Sequence, residues 1–264
     1  MHDLERRNQR AIDALNQRGG RMLGLTDLLA AGTVGLEMAA EMACACARGG
    51  SFLTAAGPGG VGKTTLMGAL LAFLPPGTEI IPIEGPETLR RLTAQRPPPD
   101  RPQCLVVHEI GAGRYYGYLW GAAVARYFAL AGAPGRSFAS NLHAETYQEA
   151  LAQLTGPPLG VRPAHLARVD LMAFMARARG KRRVTEVWQA DGSGGHARRW
   201  RWHADGDRFE RVGDGPAGAR QEEVARVARF LERALCDGCL RMEDLRRRAL
   251  ADLFGQPTDQ LTND

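Results

Sequence analysis

The sequence predicts an α/β fold with a mostly parallel β-sheet, an antiparallel β-hairpin extension and helices at the carboxyl end. Short apolar runs alternate with helix-forming runs between residues 51 and 154, which is the pattern of strand–helix–strand units. Strand-like runs joined by glycine-rich turns follow in residues 168–211, and two amphipathic runs come last. Three segments follow from this pattern: a helical lead-in (1–50), a core with its β extension (51–215) and a C-terminal helical segment (216–264).

The first segment favours helices. Residues 1–20 are polar and arginine-rich, and residues 25–47 have the pattern of one or two helices that end at a glycine pair. Thr26 is a residue type that caps helices at their amino ends. We therefore expect Thr26 to cap the first helix of residues 25–47.

The core alternates predicted strands with predicted helices. The strand-like runs are residues 51–56, 79–84, 104–110 and 137–142, and the helix-like runs are a run ending at residue 74, then 86–95, 115–131 and 146–154. Strands separated by single helices pair in parallel. Three strand-like runs at 168–177, 182–190 and 199–211 predict an antiparallel meander on the edge of the core sheet, and residues 221–235 and 242–254 predict two closing helices.

Composition is that of a globular chain and leaves the partner open. The 264 residues are 44% hydrophobic and 24% charged, with a formal net charge of +5. Such a charge favours an anionic partner but does not choose among nucleotide, nucleic acid and lipid. There is no run of about 18 uncharged apolar residues. Together with the odd number of cysteines and the polar first ten residues, this predicts a cytoplasmic location.

Cys236 and Cys239 form an isolated C-x-x-C pair. Two interpretations are open: a zinc site, or small residues at a helix boundary. The boundary is favoured because no second cysteine pair and no histidine lie near these two residues.

Residues 57–64 fit the pattern G-x-x-x-x-G-K-[ST] at each fixed position, after a predicted strand and before a predicted helix. Glycines let backbone N–H groups surround phosphates, and the helix amino terminus adds its positive dipole end. Lys63 is one of only two lysines among 34 basic residues; a compact ammonium fits between such a loop and a nucleotide where a planar guanidinium does not. The expected ATP- and Mg²⁺-binding residues are Gly57, Pro58, Gly59, Gly60, Val61, Gly62, Lys63, Thr64 and Thr65, with Thr64 on the metal.

Three acids end or follow predicted strands. Glu109 comes at the end of the strand 104–110, where it could hold Mg²⁺ or orient a water, although a strand end is also an ordinary place for an exposed glutamate. Glu84 ends the neighbouring strand, and Glu87 follows at the start of a helix, where complementing the helix dipole is the simpler role. His143 lies between a strand and a helix at the ligand-binding end of the sheet, as a phosphate contact or as an ordinary loop residue.

With these pieces in order, the sequence resembles the ATPases of type II and type IV secretion, type IV pili, tight-adherence pili and the archaeal flagellum. GPGGVGKTT, IPIEGPE, CLVVHEIG and SNLHAET are similar to that family's Walker A, acidic box, Walker B and histidine box. The likeness extends over about residues 22–254. It implies a RecA-type P-loop NTPase core in which Lys63 and Thr64 bind nucleotide and Mg²⁺, Glu84 and Glu87 form the acidic box, Glu109 is the catalytic glutamate and His143 the histidine-box residue.

The resemblance also implies partners and a role. The family's members are hexameric rings at the inner face of the cytoplasmic membrane, where they act with a membrane platform protein to power protein export or pilus assembly. Members have an amino-terminal domain that supplies arginines to the nucleotide, so we expect a separate subunit to supply it here. Nucleic acid is not an expected partner, because the arginines are not interleaved with stacking aromatic residues apart from Trp200 and Trp202.

Two departures from the family keep other functions open. Gly85 replaces the usual aspartate of the acidic box, and His108 precedes Glu109. The altered acidic box is evidence for an alternative to the motor ATPase, a nucleotide-binding regulatory paralogue with little hydrolysis. The family's relatives in conjugation add a DNA-transfer ATPase as a further alternative.

One arginine-rich hairpin has two interpretations. Its cations are Arg177, Arg179, Lys181, Arg182 and Arg183. In a ring they could face a neighbour's nucleotide or an acidic partner. Alternatively, they form a solvated basic edge that blocks sheet-to-sheet association.

Overall fold

The computed structural model describes residues 3–17, 19–57, 59–94, 100–113, 115 and 117–256. The strands are β1 Phe52–Ala55, β2 Glu79–Pro82, β3 Gln103–Ile110, β4 Tyr118–Leu119, β5 Arg136–Leu142, β6 Leu171–Ala178, β7 Lys181–Ala190, β8 His196–His203 and β9 Arg208–Arg211. The helices are α1 Asp3–Ala14, α2 Leu25–Ala30, α3 Leu36–Ala47, α4 Lys63–Leu71, α5 Pro86–Ala94, α6 Ala122–Ala131, α7 Tyr147–Thr155, α8 Pro163–Leu166, α9 Ala219–Cys236 and α10 Met242–Asp252.

The described strands form one sheet in the order β2-β3-β5-β1-β6-β7-β8-β9, with β4 beside β3. Strands β1 to β6 pair in parallel, and β7, β8 and β9 extend the sheet in antiparallel fashion. The predicted α/β class, with its antiparallel extension and C-terminal helices, is confirmed. The predicted meander differs in one respect: its first strand, β6, pairs in parallel with β1 and so belongs to the core as well.

Both faces of the sheet are covered by helices, as parallel sheets require. Residues of α1 to α4, α9 and α10 form one hydrophobic cluster, and residues of α5 to α8 form the other. Successive residues of β3 alternate between them: Cys104 and Val106 belong to the first cluster, Leu105 and Val107 to the second. The three segments separated in sequence thus share the first cluster.

The segment after β3 is not the long helix that the sequence predicts. Of the described residues between 115 and 131, only Ala122–Ala131 is helical, and Tyr118–Leu119 pairs with the end of β3. Gly117 and Gly121 have φ angles of 75° and 65°. Such left-handed backbone interrupts a helix and is readily adopted by glycine.

Three smaller predictions are also wrong. Gly24, not Thr26, is the N-cap of α2, and the Thr26 hydroxyl instead donates to the carbonyl of Cys239. The predicted strand 199–211 is two strands, β8 and β9, joined by a turn. The strand predicted over 79–84 is shorter than expected: it is the edge strand β2, which ends at Pro82 and is partly exposed.

The cysteine pair lies at a helix end, as the favoured interpretation predicts. Helix α9 ends at Cys236, and the Cys239 side chain is buried. Among the described residues no group of three or more His, Cys, Asp or Glu side chains could hold a metal ion. In the same part of the chain, no helix combines the length and apolar character that crossing a membrane requires.

Candidate functional site

The glycine-rich loop joins β1 to α4 at the carboxyl end of the parallel strands. Gly60 and Gly62 have φ angles of 78° and 112°, and Gly62 is the N-cap of α4. These angles require glycine, because an L side chain is strained there. The exposed Glu145 side chain lies against Gly57, so a side chain at position 57 would have to displace it. Residues 59–62 therefore form a backbone turn that leads directly into a helix amino terminus.

The residues of the loop and of the first turn of α4 differ in their exposure to solvent. Gly59 and Gly60 are exposed, Thr64 and Thr65 are half-buried, and Val61 packs into the first hydrophobic cluster. Val61 thus offers a ligand only its backbone N–H. The predicted binding residue Pro58 lies outside the described residues.

Lys63, Glu109 and His143 come together beside this loop. Lys63 Nζ lies 3.1 Å from His143 Nδ1 and 3.7 Å from Glu109 Oε2. Lys63 is 6% exposed and Glu109 is 5% exposed. Burial lowers the pKa of the Lys63 amine, and the negative charge of Glu109 opposes that shift. The ammonium is thus held in a desolvated position with one carboxylate as its counter-charge.

His143 links the loop to Glu109. Its Nε2 contacts Glu109 Oε1, outside hydrogen-bond geometry, and its Nδ1 lies 2.9 Å from the carbonyl oxygen of Gly57. Nδ1 can donate to Gly57 or accept from Lys63, but not both at once. The ring therefore has alternative partners within the site.

Asn141 is a site residue that the sequence prediction did not single out. It is fully buried on β5, directly opposite Thr54 of β1. Its Nδ2 donates to Thr64 Oγ1 at 3.1 Å and to the carbonyl of His108 at 2.6 Å, and its Oδ1 accepts from Thr54 Oγ1. The sequence signal is an amide within the predicted strand 137–142, because a polar group that a strand buries needs partners.

Glu109 is covered by the strand that replaces part of the predicted helix. Glu109 pairs with Tyr118 of β4, and the ring of Tyr118 stacks on His108 at 5.8 Å between centroids. Burial and the charge of Glu109 both raise the pKa of the Tyr118 hydroxyl. This packing explains why the carboxylate at the end of β3 is buried rather than solvated.

The acidic-box residues are placed differently. Glu84 follows β2 and is exposed; since Pro82 pairs with Val106, Glu84 lies at the same edge of the sheet as Glu109. The exposed Glu87 side chain pairs with Arg90 on the surface of α5. The structure thus brings Glu109 and His143 to Lys63, while Glu87 contacts a neighbour on its own helix.

Two oxygens fit the Mg²⁺ that the motif implies. Thr64 Oγ1 accepts one hydrogen bond from Asn141 and keeps a second lone pair, and Glu109 Oε1 is buried without a hydrogen-bond partner among the described residues. Mg²⁺ prefers such hard oxygen ligands and is usually bound by one or two protein groups together with substrate phosphates. The residues present are therefore compatible with a metal that arrives with a nucleotide.

Comparison with known proteins gives only weak likenesses, all to solved structures. No protein-family model and no curated protein matches the chain. Among solved structures, the chain is similar to the VirB11 ATPase from the Brucella Suis type IV secretion system in complex with sulphate, with a TM-score of 0.42 and 18% sequence identity. The match covers 58% of this chain and 52% of that one, so it spans about half of the VirB11 chain. This likeness does not assign the chain to a family.

Proposed function

We propose that the chain binds ATP through residues 57–65 and hydrolyses it in a Mg²⁺-dependent reaction. The observation that carries this proposal is the convergence of Lys63, Glu109 and His143 beside a glycine loop that opens a helix. These residues are up to 80 positions apart in sequence. Backbone N–H groups, a helix amino terminus and a desolvated ammonium together form a site for a chain of phosphates.

Each residue has a distinct part in the proposed reaction. In the nucleotide complex, the β- and γ-phosphates replace Glu109 as the counter-charge of Lys63. The Glu109 carboxylate is then free to orient a water molecule or to accept a proton from that water. His143 lies within reach of both and donates a hydrogen bond to the terminal phosphate. When bound, Mg²⁺ neutralises charge on the β- and γ-oxygens; Thr64 Oγ1 and Glu109 are the residues that would hold it.

The biological role that we propose is that of a motor ATPase for protein export or pilus assembly. Its support is the order of the four sequence boxes, 57–65, 81–87, 104–111 and 140–146. On the same basis we propose a homo-oligomeric, hexameric ring in the cytoplasm. It would act at the inner face of the membrane with a platform protein, and with a subunit that supplies further arginines.

A regulatory paralogue with little hydrolysis is the second candidate. The observation that favours it is the acidic box, where Gly85 takes the place of an acid and Glu87 pairs with Arg90 at the surface. The DNA-transfer alternative is less well supported, because Trp200 is 4% exposed and bonds to Glu41. A buried indole does not stack on a base.

Nucleotide binding and hydrolysis by the purified chain test the proposal, beside Lys63→Ala and Glu109→Gln. We expect Lys63→Ala to weaken ATP binding about tenfold or more, because a charge-assisted contact is lost. Glu109→Gln should keep ATP binding and lower kcat by about 10²–10⁴, the usual contribution of a positioned base. Fluorescent-nucleotide titration and phosphate release measure the two effects.

The dependence on protein concentration separates the two candidates. Specific activity that rises with protein concentration supports a ring in which copies of this chain together complete the ATPase site. Tight ATP binding with turnover no faster than that of Glu109→Gln supports the regulatory paralogue. If the wild type and Lys63→Ala bind ATP equally weakly, the proposal that residues 57–65 bind nucleotide is wrong.

A further inference from the structure

The β6–β7 hairpin lies against the start of α4. A side-chain carbon built on Gly62 would lie 3.4 Å from Arg182 Cδ and 3.5 Å from Met175 Cε. Gly62 immediately precedes Lys63 and is the N-cap of the helix. Arg182 therefore extends over the same helix terminus to which the proposed phosphate site belongs.

A second arginine faces Arg182 directly. Arg177 of β6 and Arg182 of β7 are paired across the antiparallel ladder. They share the sheet face of Met175 and Val184, which belong to the hydrophobic cluster that includes α4. Like charges directly opposite each other destabilise a strand pair. An anion between them would remove that repulsion.

The guanidinium groups of Arg177 and Arg182 are available for such an anion. Both residues are exposed, and within the described ranges neither guanidinium makes a hydrogen bond or an ion pair. Arg183, by contrast, is 3% exposed and binds Asp207 through two hydrogen bonds of 2.7 Å. The hairpin thus carries two kinds of arginine. Arg183 has a structural role, whereas Arg177 and Arg182 have no counter-charge among the described residues.

Strand order places this pair on a definite side of the loop. The strands run β3-β5-β1-β6-β7, so Glu109 and His143 come from the β3 and β5 side, whereas the arginines come from the β6 and β7 side. The terminal phosphate belongs with Lys63, Glu109 and His143. The phosphates nearer the nucleoside then lie towards Arg182.

We propose that Arg182, together with Arg177, binds the α- and β-phosphates of a nucleotide held in the same chain. This inference rests on the proposed nucleotide-binding function and adds to it the residues that neutralise the inner phosphates. It assigns to the pair a contact that ATP and ADP share, rather than one specific to the terminal phosphate.

Affinities for ATP and ADP test the inference, with the full chain as wild type, Arg182→Ala, Arg182→Lys and Lys181→Ala. Lys181 is the matched control, because it removes one adjacent charge from the opposite side of the strand. We expect Arg182→Ala to weaken ATP and ADP binding by the same factor, roughly ten- to one-hundredfold, as a hydrogen bond to a charged group is lost. Arg182→Lys should recover part of this loss, and Lys181→Ala should stay within about threefold of the wild type.

The nucleotide-free melting temperature of each variant separates binding from folding. Since Arg182→Ala removes a repulsion, we expect its melting temperature to equal or exceed that of the wild type. A loss of ATP affinity with ADP unchanged would overturn the placement at the inner phosphates. Equal losses of nucleotide affinity in Arg182→Ala and Lys181→Ala would show that any nearby positive charge has the same effect. That result would also overturn the inference. A wild type that binds neither nucleotide instead contradicts the proposed function.

Discussion

Asn141 joins three strands and the phosphate-loop helix through a single side chain. It bonds to Thr54 of β1, to the carbonyl of His108 on β3, and to Thr64 at the start of α4. An amide offers two N–H donors on its nitrogen and an acceptor oxygen, so one side chain can serve all three partners. At the residue scale, Asn141 therefore fixes the direction in which Thr64 presents its hydroxyl oxygen.

Replacing Asn141 by alanine should affect both stability and metal dependence. We expect Asn141→Ala to lower the free energy of unfolding by about 1–3 kcal/mol, because buried groups lose their partners. We also expect it to raise the Mg²⁺ concentration needed for half-maximal tightening of ATP binding, since Thr64 is no longer oriented. Urea unfolding and fluorescent-nucleotide titration against Mg²⁺ measure the two effects.

Ser140→Ala is the control for Asn141. Ser140 is also fully buried on β5, and its hydroxyl donates to the backbone carbonyl of Asn141. It should lower stability without changing the Mg²⁺ midpoint. The positioning role is contradicted if Asn141→Ala loses stability but keeps the wild-type midpoint.

At the scale of the elements, α1 closes the open edge of the sheet. Asn8 Nδ2 donates to the carbonyl of Thr78 at 2.8 Å, and its Oδ1 accepts from the N–H of Ile80 at 2.9 Å. This pair of bonds imitates a neighbouring strand on the outer side of β2. An uncovered edge is a template for association, so the contact protects the sheet as well as holding α1.

Asn8→Ala should therefore open this edge. We expect a loss of about 1–3 kcal/mol in the free energy of unfolding, because Thr78 and Ile80 lose partners at a buried position. Amide hydrogen exchange at Ile80 should become faster. The control is Gln9→Ala, because the Gln9 side chain donates to Asp13 of the same helix and not to β2. An equal loss in both variants would contradict a specific edge role.

At the scale of the whole molecule, buried side chains tie distant segments to one core. Arg246 of α10 binds Glu5 of α1 and also the carbonyls of Ala72 and Leu74 beyond α4. Two histidines elsewhere in the chain, His108 and His196, are half-buried. Burial lowers the pKa of His108, and it also lowers the pKa of His196, from the ordinary value of 6.5.

These two histidines predict that stability falls on acidification. Because the folded protein binds their protons more weakly than the unfolded chain does, the unfolded state gains protons as pH decreases from 7 through 6.5. Each histidine contributes at most about 1.4 kcal/mol per pH unit to the slope. Urea unfolding at several pH values should show a smaller slope in the His108→Gln, His196→Gln double variant, and an unchanged slope would contradict the assignment.

The sequence by itself determined the features that depend on local spacing. The glycine loop, the strand before it, the helix after it and the acid at the end of residues 104–110 follow from motif positions and from the period of apolar residues. Gly117 and Gly121 carried the signal against a long helix after β3, but a glycine shows its backbone angle only once the chain is folded.

The tertiary structure alone decided which of these side chains meet. Strand order and register bring His143 and Glu109 to Lys63, place Asn141 against Thr64, and leave Glu87 on the surface with Arg90. They also put Arg182 over Gly62 while Arg183 pairs with Asp207. The physical reason is that periodicity reports the face of an element, whereas contacts between elements depend on which strands pair and in what register.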